Sequence, residues 1–538
     1  MPILHWLNRE QSLKEASRVP YRLLEADPTL SYGDVNTENM LIQGDNLEAL
    51  KALLPYYAGK VKCIFIDPPY NTKSAFEHYD DNLEHTKWLE MMYPRLELLR
   101  ELLAEDGFFC CHIDDSEGAY LKIILDEVFG RSNYETTFFV QVRYLDKTLK
   151  QDMAYHKQIE QIHIYKKSNL AKPFKPQESG DFKKFIFQIK TNKEATKTLV
   201  LGGKKVEVFS KGTYTIVKEK EGNVNGLKEI WATGSILDGN SSGRFFRDYL
   251  HGRVEEDGLG SIYRVHGIGD DQFDFRYFTG PQKISATKGK YYQGVPLDKM
   301  DGSIKELPIH NFYDFADRFG NCRHEGDVDF RSGKKPEHFL QLILSRFSQK
   351  KDLVLDSFLG SGSTAAVAHK MGRRYIGIEL REQAITHCLP RLKKVIDGEK
   401  SGISTDENWQ GGGGVRFYRL GQPIFDEVGQ ITAHIAFKHL AAHIWFSETR
   451  TPWQPQNSTP QTPLLGVHNG VAYYLLYNGI LGDKRPQGGN VLTSKILATL
   501  PPHAGAKVIY GETSRLGAGR LAENNITFKQ TPYDVKAR

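Results

Sequence analysis

Two short segments carry residues that could do chemistry together. The first, Asp67-Pro68-Pro69-Tyr70-Asn71, directly follows the apolar run VKCIFI. That is where an open parallel sheet binds its ligands, outside the carboxyl end of a strand. Two consecutive prolines fix φ and lack N–H donors, so Pro68 presents its carbonyl rigidly beside the Asp67 carboxylate. Acceptors of that kind suit an exocyclic aryl amine, a poor nucleophile because its lone pair is delocalised into the ring. Tyr70 adds a face for stacking. A bare Pro-Pro-Tyr also fits a strand-capping turn with a surface aromatic; the strand and acid before it favour the chemical reading.

The second segment, Asp356-Ser357-Phe358-Leu359-Gly360-Ser361-Gly362-Ser363-Thr364, follows the strand-like DLVLD and opens a helical run. Glycines at such a turn allow close backbone approach to a nucleotide-like ligand. A lone Gly-x-Gly fits a plain tight turn equally well. Glu379 ends the next strand, RYIGIEL, and lies about twenty positions beyond the glycines, placed to accept hydrogen bonds from both ribose hydroxyls of an adenosyl group. The turn has no Walker lysine.

The elements that must position these residues follow from periodicity. Residues 39–140 alternate short apolar runs with helical stretches, which predicts a parallel α/β sheet: strand 61–67, a helix from Glu84 to Leu103 with Trp88, Met92, Leu96 and Leu99 on one face, then Asp106-Gly107 and strand GFFCCHID. The pattern returns in 333–405 with helix KPEHFLQLILSRFS, strand DLVLD, the glycine turn, helix TAAVAHKMG and strand RYIGIEL. Between them, 141–332 is polar, aromatic and lysine-rich with short β-like runs such as QIEQIHIYKK, KTLVLGG, KVEVFS and TYTIVKE, and reads as an inserted domain. Residues 1–38 read as an N-terminal extension. Gly411 to Gly414 form a junction, and 415–538 read as a small C-terminal α/β domain divided by Pro- and Thr-rich sequence at 452–463, its role not legible from residue chemistry.

Bulk properties narrow the classes. A chain of 538 residues calls for two to four cores. Its 40% hydrophobic and 25% charged residues fit a soluble globular protein. Five scattered cysteines without a CxxC pair indicate neither a disulfide framework nor a zinc site, and read as buried thiols. No run is apolar enough to span a membrane, and the charged N-terminus lacks a signal-peptide core, so a cytoplasmic location is expected. The net charge of +5 permits nucleic-acid binding without requiring it.

DPPYN, DSFLGSGST and IGIEL together resemble the amino-methyltransferase family of DNA enzymes. Their order, with a long insertion after the catalytic motif and the cofactor motif last, resembles the β-class circular permutation. LIQGDNLEALKALL, GKKPEHFLQLIL and ITFKQTPYDVKA are similar to the modification (Mod) subunits of Type III restriction systems. The resemblance implies a Rossmann-like S-adenosylmethionine-dependent methyltransferase fold with an inserted target-recognition domain. It makes Asp67, Pro68, Pro69 and Tyr70 catalytic, and Asp356, Phe358, Gly360, Gly362 and Glu379 cofactor-binding. Asp45 would lie near the cofactor or target base, and Lys335, Pro336 and His338 would head a helix closing over methionine; capping or packing accounts for each of these equally well.

The implied activity is adenine N6 methylation of double-stranded DNA, on a base turned out of the stack. Asp rather than Ser at position 67 favours adenine over cytosine N4 within the family. An RNA methyltransferase and a recognition subunit without catalysis are the alternatives. The implied partners are double-stranded DNA, a second copy in a homodimer, and a separate restriction (helicase-nuclease) subunit, since no Walker GKT or GKS loop is present. In the insertion, Lys183, Lys184, Lys190, Lys193, Lys197, Lys204, Lys205 and Lys211 alternate with phenylalanines and, with Arg244 and Arg247, are candidates for phosphate contacts; a solvated β-surface explains any single one as well.

Overall fold

Strands buried on both faces read as continuous apolar runs, and four such runs build the centre of the main sheet. The computed structural model describes residues 3–71, 84–146, 155–178, 182–232, 241–283, 289–297, 300, 305–330, 333–426, 429–454 and 462–535. Ten strands form its largest sheet: β1 (Arg22–Gly33), β2 (Met40–Gln43), β3 (Val61–Ile66), β4 (Leu103–Ile113), β5 (Tyr134–Gln141), β6 (Ile159–Lys166), β7 (Phe312–Asp314), β8 (Leu353–Asp356), β9 (Arg374–Glu379) and β10 (Gly414–Pro423). Their order is β1-β10-β2-β9-β8-β3-β4-β6-β5-β7. From β10 to β4 neighbouring strands run parallel. The antiparallel members are β1, paired with β10, and β6, which lies between β4 and β5.

This is the expected α/β fold of Rossmann type, with the motif order permuted. The strand that ends at Ile66 and the strand that ends at Asp356 are direct neighbours, with Val354 opposite Cys63 and Leu355 opposite Ile64. The two chemical segments therefore emerge side by side at the carboxyl edge despite the long insertion between them. Helices α1 (Asn46–Tyr57), α2 (His85–Leu102), α3 (Glu337–Phe347), α4 (Ser363–Lys370) and α5 (Leu389–Ile396) accompany the sheet. Trp88, Met92, Leu96 and Leu99 of α2 are fully buried against Ile64 and Ile66, as the helical spacing predicts. Asp106-Gly107 falls inside β4 rather than before it, where a register shift between Val61 and Cys63 absorbs the extra residues.

Four expected boundaries move. The segment 1–38 contributes β1 to the sheet, and the segment from 415 begins within β10, which pairs with β1 and β2. QIEQIHIYKK, assigned to the insertion, forms β6 of the main sheet, and β7 also comes from that stretch. The compact inserted unit is Lys175–Ile309. A partner chosen by tertiary register leaves no local sign, so pattern and composition placed these strands in the wrong body.

Within the inserted unit, six antiparallel strands follow the order 228–231, 290–293, 275–279, 262–266, 204–209, 197–201. Alternation puts Val206, Val208, Tyr263 and Val265 on one face against Phe245, Phe246 and Leu250. Phe209, Ile262, Tyr277 and Tyr292 lie on the other face, against the two-stranded antiparallel sheet 187–191/214–218. Lys197 pairs with Asp257 (2.9 Å) and Lys205 with Glu207 (3.0 Å), so these two lysines have partners inside the unit; Arg247 likewise pairs with Asp248 (2.8 Å).

After β10, helix α6 (Phe437–Thr449) and a four-stranded sheet of 464–468, 471–475, 507–511 and 526–530 follow. GVHNGVAYYLLYNG makes the expected hairpin, turning at Asn469-Gly470, both with positive φ. Most of the Pro- and Thr-rich stretch 452–463 lies outside the described residues. All five cysteines are buried and unpaired. Among the described residues no helix is long and apolar enough to cross a membrane.

Candidate active site

At the carboxyl end of β3, the Asp67–Asn71 loop is fixed from several sides. Trp88 Nε1 donates to the Pro69 carbonyl (2.7 Å), and Asn71, in the left-handed region at φ 59°, donates from Nδ2 to Glu117 Oε1 (2.7 Å). Pro68 is buried. Asp67 Oδ2 holds Lys335 Nζ at 2.8 Å, while Asp67 Oδ1 is buried with no hydrogen-bond partner among the described residues. Tyr70, partly exposed, donates its hydroxyl to Glu160 Oε2 (3.1 Å) and accepts from Lys335 Nζ (3.0 Å).

Behind the loop stands His112 of β4, fully buried, with Nε2 3.1 Å from Glu160 Oε2 and Nδ1 3.8 Å from Asp67 Oδ1. Burial favours the neutral form of Glu160, but His112, Lys335 and Tyr70 outweigh it and bring its pKa down to about 2. For Lys335 burial works against the charge, and the Asp67 and Glu160 carboxylates more than restore it. Burial, then the neighbouring carboxylates, pushes the Tyr70 phenol well up.

The glycine turn adjoins this cluster. Gly360 (φ 57°) and Gly362 (φ 82°) both need the left-handed region, and a Cβ at Gly362 would meet Cys388 Cα at 3.2 Å. Gly360 donates its N–H to Glu379 Oε2 (2.8 Å), and Phe358 donates its N–H to Asp356 Oδ1 (2.9 Å). Burial raises the pKa of Glu379. Burial also lifts Asp356 to about 7, with further contributions from the Asp67 and Glu379 charges against the Thr364 and Phe358 hydrogen bonds. Ser357 Oγ is buried without a hydrogen-bond partner among the described residues. A backbone cradle open to close approach, flanked by a carboxylate, fits an adenosyl cofactor.

Asp45 caps α1, accepting from the N–H groups of Leu47 (2.9 Å) and Glu48 (3.3 Å), and pairs with Arg95 (3.0 Å). Its neighbour Asn46 reaches the glycine turn, donating to the Ser357 carbonyl (2.7 Å). Pro336 occupies the N-cap of α3, and His338 Nε2 faces Asp406 (3.2 Å). Lys335, expected with the cofactor residues, is placed on Asp67 instead, because the start of α3 lies over the end of β3.

A family model described as DNA methylase matches residues 61–389, a span that contains both chemical segments. The chain belongs to the DNA methylase family. Among relatives of this methylase, a probable type III restriction-modification enzyme HindVI Mod subunit of Haemophilus influenzae is 32% identical over 70% of this chain and 53% of its own length. The EcoPI Mod subunit of Escherichia phage P1 is 26% identical over 68% of this chain and 60% of its own. The type II methyltransferase M.EcaI of Enterobacter cloacae is 28% identical over 63% and 66%. The methylase thus spans little more than half the length of the two Mod subunits.

Sequence reasoning missed His112, Glu160 and Trp88 as parts of this site. A histidine and a glutamate inside the apolar strands GFFCCHID and QIEQIHIYKK were the available signals, since a buried charged group needs a partner. Glu160 was hidden by the assignment of its strand to the insertion.

Proposed function

We propose that this methylase moves a methyl group from S-adenosylmethionine to N6 of adenine in double-stranded DNA, as the modification component of a restriction-modification or phage-defence system. The observation that carries the reading is the adjacency of Asp67-Pro68-Pro69-Tyr70 and the Asp356–Gly362 turn at the ends of neighbouring strands, with one oxygen of Asp67 buried and open. Bound at that turn, S-adenosylmethionine supplies an electrophilic methyl group on a sulfonium. Gly360, Gly362 and Phe358 would receive it along the backbone, Glu379 would take the ribose, and Asp356 would line the floor.

The chain's own part in the reaction is orientation. Asp67 Oδ1 and the Pro68 carbonyl accept hydrogen bonds from the amino group of a base turned out of the duplex, concentrating its lone pair toward the methyl. Tyr70 stacks on the base. The carboxylate at position 67 favours adenine. The names of the Mod relatives support a separate restriction subunit as partner; a homodimer and a cytoplasmic location, close to the nucleoid, complete the proposal.

Expression of the chain and its Asp67→Ala variant in a methylation-free bacterial host, followed by single-molecule sequencing, tests it. N6-methyladenine at one short motif, with the unmutated chain only, is the expected result. N4-methylcytosine would reassign the base, and unmodified DNA despite S-adenosylmethionine binding would overturn DNA methylation.

A further inference from the structure

The contacts around Asp67 form a ring with one gap. From Asp67 Oδ2 they run to Lys335 Nζ (2.8 Å), to Tyr70 Oη (3.0 Å) and to Glu160 Oε2 (3.1 Å). His112 stands next, with Nε2 3.1 Å from Glu160 Oε2 and Nδ1 3.8 Å from Asp67 Oδ1, beyond hydrogen-bond reach. Five side chains, from the loop after β3, from β4 and β6, and from the segment just before α3, thus form one ring. Its open position is the buried Oδ1, which has no hydrogen-bond partner among the described residues.

A carboxylate is a directional acceptor only when its rotation is stopped. Lys335 stops it by binding one oxygen, which leaves the other for an incoming N–H group. Lys335 alone would also neutralise the charge that makes Asp67 a strong acceptor. Glu160 changes both conditions. It anchors the Tyr70 hydroxyl on which Lys335 rests, and its second negative charge divides the field of the ammonium between two carboxylates.

We propose that Glu160, backed by His112, is a positioning residue for methyl transfer: it holds Tyr70 and Lys335 so that Lys335 pins Asp67 Oδ2 and leaves Oδ1 for the target amino group. The inference rests on the reading of Asp67 as the acceptor of that group. Glu160 itself touches neither base nor cofactor.

The test compares the unmutated chain with Glu160→Ala and Glu160→Gln. Methyl transfer is followed with tritiated S-adenosylmethionine and fragmented genomic DNA from a methylation-free host. Acetylation of Lys335 by acetic anhydride is timed by peptide mass spectrometry. Glu160→Ala should lower kcat about 10- to 100-fold, with KM for DNA and the S-adenosylmethionine dissociation constant within about twofold. Lys335 should acetylate about threefold faster as the neighbouring Glu160 charge is lost. Glu160→Gln, whose amide oxygen can still accept from Tyr70, should recover part of the rate. An unchanged kcat in Glu160→Ala, or unchanged Lys335 reactivity, overturns the proposal. If the alanine variant does not fold, the glutamine variant decides by the same two readouts. Should the unmutated chain bind S-adenosylmethionine yet label no DNA, the methylation reading falls, while Lys335 reactivity still decides whether Glu160 holds the ring.

Discussion

Two buried charge clusters begin two residues apart in the chain, at Lys335 and Glu337, and they are built to opposite ends. Glu337 is fully buried, pairing through Oε1 with Arg391 (2.8 Å) and through Oε2 with Lys370 (2.7 Å), and it also accepts the Ile403 N–H (3.1 Å). Arg391 donates onward to Ser363 Oγ (2.6 Å), and Lys370 pairs with Glu399. Both oxygens of Glu337 are engaged. The cluster at Lys335 leaves Asp67 Oδ1 buried and open. A closed network locks α3, α4 and α5 together, whereas an open acceptor in a low-dielectric site is available to a ligand.

The closed cluster should break with the largest effect. Glu337→Ala leaves the buried Arg391 without its carboxylate partner and Lys370 with Glu399 alone, and losing one partner of such a network costs about 3–5 kcal/mol. Guanidinium unfolding measures the loss. A cost under about 1 kcal/mol, the range of exposed pairs, would erase the distinction between the two clusters.

Lys335→Met sharpens the contrast from the other side. Loss of the ammonium frees the Asp67 carboxylate to rotate and places two carboxylates near each other unpaired. Methyl transfer per folded molecule should fall about 10- to 100-fold, while the unfolding free energy changes by less than in Glu337→Ala. A variant that loses stability and keeps its turnover would make Lys335 a second structural ion.

The same contrast explains what the sequence made legible. Apolar runs ending in Asp67, Asp356 and Glu379 announce buried parallel strands and the acids at their carboxyl ends, because strand burial and ligand position are both local patterns. Glu337, Lys370 and Arg391 sit on amphipathic helices, where charged residues ordinarily face solvent, and nothing local shows that three of them converge. Glu160 depends on β6 pairing antiparallel with β4, a register that no local pattern announces. Charge partners brought together by tertiary register are invisible to periodicity, and they supply both the Glu337 cluster and the Glu160 and His112 members of the ring.

Asp356 gives the smallest and most specific prediction, since it lies beside the open cluster and has no ion-pair partner among the described residues. Burial, followed by the charges of Asp67 and Glu379, raises its pKa from 3.8 to about 7. Between those values the folded chain keeps a proton that the unfolded chain has released, so stability falls as pH rises and levels off above about 7. Glu337 has the opposite sign: burial works against its charge, but Arg391 and Lys370 hold its pKa below the ordinary value. Its contribution is present above the ordinary glutamate range and lost as pH falls. Asp356→Asn stays neutral and can still accept the Phe358 N–H. Its stability relative to the unmutated chain should therefore improve from pH 4 to 7 and hold steady beyond, as read from paired denaturant curves without cofactor. A gap that stays constant across this range would mean that Asp356 is ionised in the folded chain, with the open cluster supplying the counter-charge that its geometry shows only for Asp67 and Glu160.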